Sequence, residues 1–147
     1  MTPRLWLVVV TGSVGWTNAE VIEESLTELA TRRSASEGSL RVITGMASGA
    51  DEIARTWAAD HAKNGVSLFA EALKPGPYPH PMHSYNHKML AMKPNLVLAF
   101  KEQFDDRWAM PSCLAGTEHL CRIAADAGIA VLLNGSVVLA GDAQPLG

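Results

Sequence analysis

A chain of 147 residues, 48% hydrophobic and 18% charged, holds enough apolar material for one ordinary globular core and too little for two, so a single domain over 1–147 is expected. Its formal net charge of −3, with 12 Lys and Arg scattered rather than gathered in a run, gives no basic footprint and argues against nucleic acid as a partner. Cys113 and Cys121 do not form a CxxC pair and read as two unpaired thiols of a cytoplasmic protein.

The opening MTPRLWLVVVTGS sets one Arg before an apolar stretch, but Leu5 to Val10 is shorter than a secretory h-region and runs straight into Thr11-Gly12-Ser13. It reads as a buried strand at 5–11. In the helix that follows, Val21, Ile22, Leu26, Leu29 and Ala30 form one stripe, and TNAE at 17–20 is a capping box in which Thr17 caps and Glu20 reaches back. A strand at 40–44 leads through TGMASGAD into a second helix, with Ala50, Ile53, Ala54, Trp57 and Ala58 inward and Asp51, Glu52, Arg55 and Asp60 on the wet side.

After a strand at 66–71, KPGPYPHPMHSYN places prolines at 75, 77, 79 and 81, which predicts an extended, lid-like loop before a helix at about 84–92. Strands at 96–100 and 130–133 flank a helix striped by Leu120, Cys121, Ala124 and Ala125 and ended by Gly128. Asn134-Gly135 between apolar runs predicts a hairpin into an antiparallel strand at 136–140, and GDAQPLG reads as a frayed end. No segment approaches the roughly 20 apolar residues of a bilayer span.

Strands alternating with helices specify a Rossmann-like three-layer α/β domain: a mainly parallel sheet, ordered 3-2-1-4-5, with a short antiparallel strand added and the core at about 5–133. Ligands of such sheets lie at the carboxyl ends of strands, where strand order reverses. The loops reaching that rim are TGSVGWTN, TGMASGAD, the proline loop and KEQFDDRWAMPSCLAGTEH. A glycine turn opening a helix offers free N–H groups to an anion. Neither GxGxxG nor GxxxxGK[ST] is present, and Ser48-Gly49-Ala50-Asp51 reads equally as a capping box, with Gly45 a tight strand end. Gly116 and Thr117 carry the same two readings.

Five stretches in order, VVVTGSVGWTN, ITGMASGADEIARTWA, YNHKML, KPNLVLAF and CLAGT, resemble the YspA-like branch of the SLOG superfamily, a Rossmann-like group that includes the lonely-guy phosphoribohydrolases and the DNA-processing protein DprA. The resemblance covers about residues 5–133 and implies a nucleotide or nucleotide-derived ligand. It puts Gly12 and Ser13 in a first ligand loop, Gly45, Ser48, Gly49 and Asp51 in a second, Asn86 on a helix and Gly116 and Thr117 in a phosphate-facing turn. It also suggests a homodimer.

The departures bear on catalysis. Ser48 and Tyr85 stand where the branch shows Arg. The phosphoribohydrolases resemble PGGxGTxxE, whose Glu falls at Leu120 here and whose glycine pair falls at Cys113-Leu114. Cleaving an N-glycosidic bond requires a carboxylate near the anomeric carbon and a cation on the ribose phosphate. Glu118 is the candidate catalytic substitute, although periodicity puts it on the helix face away from Leu120 and Cys121, which reads as a solvated helix-start Glu. Lys101 and Arg107 either supply cations or are surface charges, and Trp16 and Trp108 either stack on a base or pack on their own loops.

His80, His83 and His87 lie close in sequence but without an acidic or Cys ligand among them, so no metal is expected, and no cofactor. The leading expectation is a nucleotide binder acting as sensor, carrier or sequestering protein, without efficient catalysis. An altered phosphoribohydrolase and an interaction module that has lost the ligand are the alternatives.

Overall fold

The computed structural model describes residues 5–35, 38–71, 81–102 and 116–139. The chain runs β1 (Leu5–Gly12), α1 (Ala19–Ala35), β2 (Ser39–Gly45), α2 (Ala50–Asp60), a 3₁₀ turn (Ala62–Asn64), β3 (Val66–Glu71), α3 (Pro81–Ala91), β4 (Leu96–Phe100), α4 (Gly116–Asp126), β5 (Ala130–Leu133) and β6 (Ser136–Leu139). The sheet order is β3-β2-β1-β4-β5-β6, with the first five strands parallel and β6 antiparallel to β5. Order 3-2-1-4-5 with one antiparallel addition is therefore observed, and the reversal lies between β1 and β4.

Both sheet faces are covered, which is why the strands are continuous apolar runs. Alternate residues of β1 divide between two cores: Val8 and Val10 pack with Ile22, Leu26, Ala54 and Trp57 of α1 and α2, whereas Val9 packs with Tyr85, Met89, Leu120 and Ala124 of α3 and α4. The hairpin forms where Asn134-Gly135 predicts it, both residues having positive φ (53° and 90°), as a type I′ turn requires. Gly128, at φ 80°, follows α4 and donates its N–H to Ala125 O, in keeping with a C′ glycine.

Two caps differ from expectation. Helix α1 begins at Ala19, and Asn18 Oδ1 accepts the N–H of Val21 at 3.4 Å. Asn18, not Thr17, is the N-cap, because only a residue immediately before the first helical one reaches the N3 amide. At α2 no side chain caps, and the N-cap is Gly49 at φ 73°. Ser48 Oγ instead donates to Val14 O at 3.4 Å, so the Ser48–Asp51 capping box does not form.

The reason lies in how tightly the first two loops join. A Cβ on Gly49 would stand 2.2 Å from Ser13 O and 2.6 Å from the Val14 carbonyl, and the Ala50 N–H donates to Ser13 O at 3.1 Å. Gly12 is as close-packed, a Cβ there meeting Phe100 O at 2.2 Å and Ala50 Cβ at 2.7 Å. Residues 72–80 of the proline loop and the loop bearing Arg107 and Trp108 lie outside the described residues; Pro81, expected in the loop, is instead the first residue of α3, a position where its missing N–H costs no helical hydrogen bond.

A comparison of two glycines isolates this joint. Gly65 also has positive φ (82°) but meets nothing within 4 Å, so Gly65→Ala carries only the backbone penalty, about 1 kcal/mol. Gly49→Ala adds a backbone collision and should cost about 3 kcal/mol or more. Urea midpoints with equal m-values check this; equal losses in the two variants would mean that the loops yield freely.

Candidate functional site

The site candidates gather at the carboxyl ends of β1, β2 and β4. Thr44, Gly45 and Asp51 stand at the end of β2 and the start of α2. The Asp51 carboxylate fills the notch left by the missing side chain of Gly45, whose Cβ would meet Asp51 Oδ2 at 2.7 Å and Tyr85 Cε1 at 3.9 Å. Tyr85, from α3, donates its hydroxyl to Thr44 O at 2.9 Å. Arg55 donates to Gly45 O and Ala47 O at 2.8 Å each, bracing the turn from below.

Asp51 is buried rather than on the wet side. Burial pushes its carboxyl up from 3.8 to about 6, opposed by hydrogen bonds from the Thr44 hydroxyl and the Ala47 and Gly45 amides and by the Arg55 charge. Burial likewise raises the Tyr85 phenol to about 12, so it acts as a hydroxyl donor at neutral pH.

Toward β4, Asn86 of α3 is fully buried, and its Nδ2 donates to His119 Nδ1 of α4 at 3.0 Å, which leaves the ring proton on Nε2. His87 meets the His119 ring edge-on, centroids 5.5 Å apart. Beside His119, Glu118 is 0% exposed, and its Oε2 accepts from Lys101 Nζ at 2.6 Å. The Lys101 backbone is held in turn by Asn134, whose Oδ1 accepts the Lys101 N–H and whose Nδ2 donates to Lys101 O, both at 2.9 Å.

Glu118 is thus not a solvated helix-start residue. Position 118 precedes the buried Cys121 by three residues and the buried Ala125 by seven, so it continues the inward stripe of α4. Asp51 has the same relation to Ala54 and Ala58, and Asn86 precedes Met89 by three. That register is the signal that locates all three. His119 and Asn134 were not singled out from the sequence: His119 is buried by the packing of α3 on α4, and Asn134 reads only as a turn residue.

The remaining expected residues divide. Gly12, Ser13, Ser48 and Gly49 form the joint between the first two loops, with Ser13 N–H bonded to Phe100 O and Ser13 Oγ accepting from Gly15 N–H. Trp16 packs on Phe100, ring centroids 5.9 Å apart, and donates Nε1–H to Asn18 O, on the α1–α2 side of the sheet. Gly116 opens α4 and Thr117 is buried in its first turn. A groove of about 700 Å³ lies elsewhere, between the second half of α1 and the end of α2, walled by Trp57, His61 and Asn64, near the amino ends of the strands. No group of three or more metal-ligating side chains occurs among the described residues, and His80 lies outside them. None of the described helices is long and apolar enough to cross a membrane.

The parallel order and the polar cluster at its reversal define a Rossmann-like α/β domain. Residues 7–73, the β1–α1–β2–α2–β3 portion, match the YspA, cpYpsA-related SLOG family. No curated protein and no solved structure gives a significant match.

Asp51 links the site to pH. Between pH 3.8 and about 6 the folded chain holds a proton that the unfolded chain has released. Stability conferred by that proton is fully present below pH 3.8 and is lost as pH rises through 6. Wild-type stability relative to Asp51→Asn should therefore fall by about 3 kcal/mol from pH 3.5 to pH 7. Urea titrations across the range measure it, and a difference that is constant with pH would place Asp51 in a wetter environment.

Proposed function

We propose that this chain binds a nucleotide or nucleotide-derived small molecule in the crevice at the β1–β4 reversal, as a sensor, carrier or sequestering protein, without efficient catalysis. The observation that carries this reading is the polar cluster there: buried Asn86, His119 and Glu118 from α3 and α4, with the half-buried Lys101 just past β4, set where such sheets receive ligands. Burying an ionised or amide side chain is costly against an apolar alternative, and groups retained at that cost mark functional sites. The match of residues 7–73 to the YspA, cpYpsA-related SLOG family is compatible with a nucleotide-related ligand.

Against turnover, the carboxylate and the cation that a glycosidic cleavage requires are bonded to each other in the Lys101–Glu118 pair. Leu120 and Tyr85, at the places where related hydrolases carry Glu and Arg, are core residues. One observation favours the phosphoribohydrolase reading: Glu118 turns into the fold, and a carboxylate held there is closer to a ligand than a solvated one.

A thermal-shift panel of nucleosides, nucleotides and ADP-ribose tests the binding reading. A ligand at 100 times its Kd should stabilise the fold by about 2.7 kcal/mol; no responder would favour an interaction module. Incubation with nucleoside monophosphates, followed by chromatography for free base and ribose 5-phosphate, should show no release above background. Release abolished in Glu118→Gln but retained in Asp51→Asn would make Glu118 the catalytic acid–base group.

A further inference from the structure

The β1–β2 ladder ends at the Val9–Ile43 pair. Just beyond it a side chain continues the join, Thr44 Oγ1 donating to Val10 O at 2.8 Å. Thr44 and Val10 are both 0% exposed, so water is not at hand to replace that bond. A threonine hydroxyl has a single proton, and this one is committed to β1.

The same hydroxyl also meets the Asp51 carboxyl, which takes hydrogen bonds from the Gly45 and Ala47 amides besides. With its proton on Val10 O, Thr44 Oγ1 offers Asp51 only lone pairs. An ionised Asp51 sets lone pairs against lone pairs, whereas a protonated Asp51 donates to Oγ1 and keeps an oxygen for the two amides. Every partner is then satisfied, in a chain from Asp51 through Thr44 to Val10. Burial pushes Asp51 in the same direction, up to about 6.

Among the described residues, the charged and titratable groups on this side of the turn come from three elements. Arg55 of α2 holds Gly45 O and Ala47 O at 2.8 Å each and is a counter-charge for the ionised carboxyl. Tyr85 of α3 donates to Thr44 O at 2.9 Å and, raised to about 12, keeps its proton at neutral pH. Beyond Tyr85, Glu71 at the end of β3 pairs with Lys88 of α3.

We infer that Asp51 and Thr44 form a proton-operated latch on the rim: with its proton, Asp51 ties the β2–α2 turn to β1 through Thr44, and without it the carboxylate leaves Thr44 for Arg55 and the turn loosens. Thr44 is the positioning residue, holding the proton on Asp51. The latch goes beyond the ligand reading above and stands whatever the rim binds. Its turn carries Gly49 and Ala50, which pack on the first loop, so acid and neutral pH give a tighter and a looser rim.

NMR of the full chain from about pH 4 to pH 8 reads both halves of the latch. The Asp51 carboxyl-carbon shift gives its titration midpoint, and amide exchange at Gly45, Ala47 and Ala50, corrected for intrinsic rates, gives the tightness of the turn. Protection of these amides should fall about tenfold as Asp51 ionises. Asp51→Asn, which keeps a donor for Thr44 Oγ1, should hold the acid-level protection throughout. Thr44→Val should lower the Asp51 midpoint by about one pH unit, and Thr44→Ser should restore it. A midpoint raised or unmoved in Thr44→Val overturns the inference, because the Thr44 proton then lies on the carboxylate or the pair makes no effective bond. So does protection that stays level while Asp51 titrates, or that falls equally in Asp51→Asn. Should Thr44→Val fail to fold, the protection profiles of the wild type, Asp51→Asn and Thr44→Ser decide.

Discussion

The rim of this sheet depends on backbone meeting backbone at two glycines. With no Cβ at Gly12 or Gly49, the end of β1 lies directly against the end of β4, and the first loop lies against the start of α2. Hydrogen bonds from Ser13 N–H to Phe100 O and from Ala50 N–H to Ser13 O close the contact. Everything chemical on the rim is placed from this joint, since Asp51 is the next residue of α2 and Lys101 the next after Phe100. The glycine corner that reads in sequence as an anion cradle is, in its described part, a seam between two loops. Its positive φ serves the approach of chain to chain.

Around that seam the protein keeps ionisable groups where an apolar core would be simpler. Glu118 is neutralised by Lys101 at 2.6 Å, the carboxylate wholly buried and the lysine half-buried. Asp51 is handled differently, by hydrogen bonds from its own turn and by Arg55 at the next helical turn. These do not outweigh desolvation, so its carboxyl stays raised. One carboxylate is therefore locked and the other is poised close to neutrality, within one rim.

Much of the fold was legible because its signals are local. Continuous Val and Leu runs marked the strands, 3.6-residue stripes marked the helices, and Asn134-Gly135 fixed a turn whose positive φ values few other residue pairs accept. The caps were misread because Thr17 and Ser48 have suitable hydroxyls, whereas capping is decided by which residue directly precedes the helix. The site was legible in place but not in detail. Periodicity read against Leu120 for Glu118, and against the inward stripe of α2 for Asp51, sets both on a wet face, although the residues three and seven positions later are buried in each helix. The Asn86–His119 and Asn134–Lys101 contacts join segments 33 residues apart, and no spacing in the sequence announces them.

That register also decides how far Glu118 replaces the carboxylate that related hydrolases carry at the position of Leu120. Two residues along an α-helix turn the side chain by about 200°, so Glu118 faces nearly opposite to Leu120. Both are fully buried, Leu120 in the core that α3 and α4 lay on the sheet and Glu118 against Lys101 at the end of β4. The carboxylate at position 118 therefore lies on another side of the helix from position 120, paired with the Lys101 ammonium, while position 120 is filled by core.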